Sequence, residues 1–211
     1  MRQPKGRMRE NALLRASTFV AATLVWLTLG APEAIAATQP APIEVFQDFS
    51  SFSAATKATQ TITFDKFETG TSLGNPALVE TVIFQHSAAA TFKTIGDPYI
   101  PVSTPNVLAP FRPDNTLELG DTTLAFQKTT HAAGLFLVIG QGSNQDTTWT
   151  STVTATDAQN HSISVTVTFR SVIGEQQFIG FKSRFKITSI FFGPATMPGA
   201  STVVAIDNVQ V

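Results

Sequence analysis

The segment SISVTVTF, Ser162 to Phe169, restricts the possible folds of this chain more than any other. Ile163, Val165, Val167 and Phe169 alternate with Ser162, Ser164, Thr166 and Thr168. A period of two is that of an extended strand with one buried face and one solvated face. Just upstream, TWTSTVTATD places Trp149, Val153 and Ala155 on one side and Thr148, Thr150, Thr152 and Thr154 on the other. The turn-forming DAQNH, with Asp157 and Asn160, joins the two runs. Together they predict a β-hairpin in which Trp149 belongs to the core.

Strand patterning recurs in TITFDKF, TVIFQ, ATFKTI, TLELG, TLAFQ, AGLFLVIG, QQFIGF, KITSIFF and VVAIDNVQV. The segment GLFLVIG is apolar at nearly every position, which predicts a central strand covered on both faces. One segment differs: in QDFSSFSAATKAT, Phe49, Phe52 and Ala55 recur every third residue and Asp48 is placed to cap a first turn. The expected fold is all-β, an antiparallel two-sheet sandwich of jelly-roll-like form with one short N-terminal helix.

The N-terminus reads as an export signal. Arg2, Lys5, Arg7, Arg9 and Arg15 precede the apolar run ASTFVAATLVWLTLGA, and Ala34-Ile35-Ala36 supplies a small-x-small cleavage site. The run is shorter than the roughly 20 residues of a spanning helix. Residues 1–36 are therefore expected to be removed after Ala36, with 37–43 a linker and 44–211 one domain. The product would be secreted, to the periplasm or beyond, and would have no remaining membrane segment. Cleavage leaves nine basic and thirteen acidic residues, a net charge of −4. That balance argues against nucleic acid as a partner, which favours a basic footprint. The chain has no cysteine, so 175 residues must be held by a large core, a metal or both.

The last strand, VVAIDNVQV, loses its rhythm. Val204 and Ile206 share one phase and Val209 and Val211 the other, with Asp207-Asn208 at the slip. TITFDKF slips in the same way at Asp65-Lys66, just before Glu68. Such slips predict β-bulges, which re-aim side chains. If the two strands pair, Asp65, Glu68, Asp207 and the Asn208 carbonyl converge as hard oxygen donors suited to calcium. A plain strand-end kink with solvent-facing acids fits the same letters. A second candidate is the proline-rich stretch Gly96 to Asn115, where Asp97, Tyr99, Asn106, Arg112 and Asp114 offer an aromatic face and polar partners for a sugar. In the competing reading, Tyr99 and Phe111 simply pin that loop to the sandwich.

In their order, DFSSFSAAT, TITFDKFETGTSL, TVIFQ, PNVLAP, VTATDAQNHSISVTV, QQFIGFKSRFKITSIFF and VVAIDNVQV resemble the β-sandwich domains of exported bacterial proteins of the PEP-CTERM type. The sorting segment of that type is not present in the sequence. Those domains are similar in turn to carbohydrate-binding jelly rolls, in which a carboxylate near the first strand and one on the last hold a structural calcium. The resemblance puts Asp65 and Asp207 at those places and implies a bulge-like Gly-Phe at Gly180-Phe181. Catalysis has little support: His86, His131 and His161 lie in separate segments, and neither a G-x-S-x-G elbow nor a zinc pattern occurs. The sequence therefore points to a secreted non-enzymatic module for polysaccharide, with structural calcium. The alternative is a structural or interaction protein whose partners are envelope or matrix components.

Overall fold

The computed structural model describes residues 41–57, 60–96, 106–139, 148–170 and 175–211. All of these lie in the compact unit Pro40–Val211. The segment expected to be an export signal, Asp97 and Tyr99 lie outside the described residues.

The chain enters the fold through strand β1 (Ile43–Phe46), which starts on the last residue of the expected linker. Helix α1 (Phe49–Ala55) follows, and the Asp48 carboxylate caps it by accepting the Ser51 N–H at 2.8 Å. That bond satisfies an N–H left without an intrahelical partner. Six short strands come next: β2 (Thr61–Ile62), β3 (Ser72–Gly74), β4 (Ala77–Val79), β5 (Val82–His86), β6 (Thr91–Ile95) and β7 (Val107–Phe111). Longer ones follow: β8 (Thr122–Ile139), β9 (Thr148–Asp157), β10 (Ser162–Arg170) and β11 (Gln176–Phe192). Two short strands, β12 (Ala195–Met197) and β13 (Ala200–Thr202), precede the terminal β14 (Val204–Gln210).

The hairpin forms as its alternation requires. β9 and β10 pair without a slip from Ser162↔Thr156 to Arg170↔Thr148, and Asn160 takes the left-handed conformation of the turn at φ 62°. Trp149, Val153, Ala155, Val167 and Phe169 are buried in the core.

Every described pairing is antiparallel, and two layers result, joined by two strands that belong to both. In one layer, residues 122–126 of β8 lie between β5 and residues 189–192 of β11, and β9 and β10 continue beyond β11. In the other, residues 134–139 of β8 lie between β14 and residues 176–180 of β11, with β1 outside β11 and β7 and β2 outside β14. Strands that pass from one layer to the next do so at bends or bulges. β11 has its bulges between Lys182 and Ser189. One hydrophobic cluster fills the space between the layers, including Phe84, Leu124, Leu135, Leu137, Ile190 and Ile206.

The outer face of the second layer is covered too. Gly134 and Gly180 face each other across β8 and β11; Phe52 of α1 seats over Gly180, and the Phe178 ring lies over Gly134. A Cβ on Gly180 would lie 2.5 Å from the Phe52 ring, and one on Gly134 2.7 Å from the Phe178 ring. Gly180-Phe181 is therefore a flat seat in regular register, not the bulge the resemblance implies. As expected, GLFLVIG is covered on both sides: Leu135, Leu137 and Ile139 enter the main core, while Val138 is buried on the opposite face.

Several expected elements differ. TLAFQ and AGLFLVIG are halves of one strand, β8, because the polar run between them stays extended. QQFIGF and KITSIFF likewise merge in β11. TITFDKF supplies only two strand residues, and its Asp65-Lys66 lies in a turn closed by Phe67 N–H donating to the Phe64 carbonyl. TLELG makes a single bridge, Leu117 to Phe111. β7 falls inside the stretch that the prolines make look irregular. Among the described residues no helix is long and apolar enough to cross a membrane.

Candidate functional site

The slip in the last strand is a bulge. Asp207 pairs with Phe136 and Gln210 with Gly134, so three steps along β14 match two along β8. Asn208 absorbs the extra residue at φ 42°, a conformation that asparagine tolerates better than most. The bulge falls where the other edge of β14 changes neighbour, from Leu108 of β7 to Ile62 of β2. β2 and β14 pair, as the calcium reading required.

The donors do not assemble, however. Asp207 is fully buried, and its Oδ1 accepts the Asn208 N–H at 2.8 Å. Asp65 Oδ1 accepts the Asn106 N–H at 3.3 Å. Glu68 is exposed, and its carbonyl oxygen accepts the hydroxyls of Thr71 and Thr94, each at 2.6 Å. Among the described residues no three His, Cys, Asp or Glu side chains gather as a metal would need. Calcium takes about six to eight oxygens. Of the expected ligands Asp65, Glu68, Asp207 and Asn208, the carboxylates of Asp65 and Asp207 each accept a backbone N–H, and Glu68 is exposed.

The proposed sugar loop also has a structural part. Asn106 is buried, accepting from Thr69 Oγ1 at 2.7 Å and donating to the Phe67 carbonyl at 2.8 Å. It laces the turn after β2 to β7 and offers no exposed amide. Arg112 forms a two-pronged pair with Glu118. This pair raises the pKa of the guanidinium and lowers that of the carboxylate. Asp114 accepts both the N–H and the hydroxyl of Thr116, at 3.0 and 2.6 Å, which lowers its pKa. These residues close the turn that leads out of β7.

A different site appears where β8 and β11 cross between the layers. A cleft of about 390 Å³ opens there, lined by Gln60, Thr81, Lys128, Thr129, Thr130, His131, Lys186 and Val211. Lys128 and His131 come from the polar centre of β8, residues 127–131, which has neither β5 nor β14 beside it. Lys186 stands in the β11 bulge at φ 70°. The polar runs QKTTH and KSRFK signal the site in sequence, but nothing in their spacing shows that they meet.

A buried carboxylate fixes this crossing. Asp157, 1% exposed, accepts from Ser183 Oγ at 2.9 Å, Gln159 N–H at 2.9 Å, and His161 through its N–H and Nδ1–H, both at 3.1 Å. Burial pushes its pKa up, but those donors outweigh it and hold the carboxyl below its ordinary range. The His131 Nδ1–H donates to the Ser183 carbonyl at 3.0 Å, and the Ala158 N–H to the Lys186 carbonyl at 2.9 Å. Both walls of the cleft are thus tied to the Asp157 turn. Ser183, Asp157 and His161 do not form a catalytic triad. The acid sits in the middle, and the serine donates to it rather than to an imidazole.

No family model matches the chain, and no curated protein matches it. One solved structure with a related course is the CBM22-1 xylan-binding domain of Xyn10C from Paenibacillus barcinonensis. It is 8% identical at a TM-score of 0.42, over 72% of this chain and 90% of that domain. At that level the likeness carries no functional argument.

Proposed function

We propose that this chain is an exported, non-catalytic module that binds extracellular polysaccharide through the cleft at the β8–β11 crossing. The observation that carries the reading is the cleft itself: an open, polar depression with hydroxyl, ammonium and imidazole groups on its walls. Carbohydrate recognition calls for such convergent hydrogen-bonding groups on a rigid support. Support is rigid here because both crossing strands are anchored through Asp157. The basic and apolar N-terminal pattern and Ala34-Ile35-Ala36 support export.

Affinity electrophoresis tests the reading. The purified chain runs through gels containing xylan, a glucomannan, dextran or polygalacturonate. Retardation by at least one polymer is expected, weakened by the His131→Ala and Thr129→Val substitutions. Free migration in every gel would overturn the proposal. Protein recovered outside producing cells should begin at Ala37.

A further inference from the structure

The charge of the cleft narrows its ligand. Among the described residues, ion pairs engage Lys66, Arg112, His161 and Lys182, and neither Lys128 nor Lys186 takes part in one. Among the described residues no acidic side chain lines the cleft. Two acidic side chains near it are already engaged. Asp157 is buried among its four donors, and Glu80, next to Thr81, holds Lys66 at 2.8 Å and the Gln60 amide. Arg184 adds a further cation on the same bulge, lying over the Phe185 ring at 4.4 Å. This basic spot belongs to a chain with a formal net charge of −1. A depression lined by one sign of charge focuses the field and draws in the opposite sign.

We propose that the cleft selects acidic polysaccharide, holding an anionic substituent, a carboxylate or a sulfate ester, with Lys128 and Lys186 while Thr81 and Thr129 meet ring hydroxyls. The inference rests on the polysaccharide reading above and adds charge selectivity to it. Ammonium groups suit the role, since a compact charge on a flexible stem follows an anion without fixed bidentate geometry.

Binding of the full chain to polygalacturonate, methyl-esterified polygalacturonate, dextran and dextran sulfate tests this by calorimetry at low and high salt. Tight binding to polygalacturonate, lost on esterification and weakened by salt, assigns a carboxylate. Binding to dextran sulfate but not to dextran or polygalacturonate assigns a sulfate ester. Lys128→Gln and Lys186→Asn should each weaken binding by about tenfold. Asparagine keeps the positive φ at Lys186 accessible, and an unchanged melting temperature confirms that both variants fold. Equal binding of charged and neutral polymers, unaffected by either substitution, overturns the charge selectivity and leaves the polysaccharide reading standing. No binding to any polymer overturns both. Equally tight binding to single-stranded DNA would overturn the sugar assignment.

Discussion

At the scale of single residues, Asp157 shows what a buried charge requires. A carboxylate out of water is tolerated when donors surround it, and four do so here. Its folded pKa lies below the unfolded one, so its stabilisation is complete above the unfolded value, near 4, and disappears as pH falls through the folded value. Asp157→Asn should lower stability at pH 7 by roughly 1–3 kcal/mol and flatten the acid limb below about pH 4. Denaturant unfolding at pH 7 and pH 3 checks both parts, and an acid limb with wild-type slope would refute the assignment. None of this is legible in DAQNH beyond the turn, because Ser183 reaches Asp157 from another strand. The two register slips teach the same lesson. The slip at Asp207-Asn208 is a bulge, since β8 goes on pairing with β14 past it. At Asp65-Lys66 the same pattern of letters is a turn, because β2 has only two residues of partner.

Among the elements, local patterns that predicted structure are those whose cause is local. Helix α1 and its Asp48 cap follow from residues within one turn of each other. The β9–β10 hairpin follows from its alternation and its short, turn-forming connection. What holds α1 down is not local: Gly180 on β11 clears a seat for Phe52. Gly180→Ala places a methyl against that ring and should cost about 1–3 kcal/mol. Phe52→Ala should cost about 3–5 kcal/mol through the cavity it leaves. In the double variant the glycine substitution should cost less than it does alone, because the nearer of the two rings it strikes, Phe52, is gone and Phe178 has room to shift. Chemical denaturation of the four proteins measures this coupling, and strictly additive losses would refute the seat. The strands that escaped prediction are of two kinds. β1, β3, β4, β12 and β13 are too short to show a period, and β7 contains Pro110.

For the molecule as a whole, shared strands make the two layers one object. β8 and β11 run through both, and a single hydrophobic cluster draws on both. Unfolding should therefore be one cooperative transition. Scans in calcium and in chelator also test the calcium expectation at Asp65 and Asp207, each of which accepts a backbone N–H. Calorimetric scans decide the matter: two transitions would separate the layers, and a calcium shift abolished by Asp207→Ala would restore the metal. Sequence alone determined the all-β class, the helix and its cap, the hairpin, the doubly covered strand and the place of the terminal bulge. Each is written in periodicity or in capping between near neighbours. Only the tertiary structure decided that the polar centres of β8 and β11 meet in a basic cleft, and that Asp65, Glu68 and Asp207 do not assemble. Those outcomes depend on which strands pair and where they bend, and pairing partners distant in the chain leave no mark in the spacing of residues.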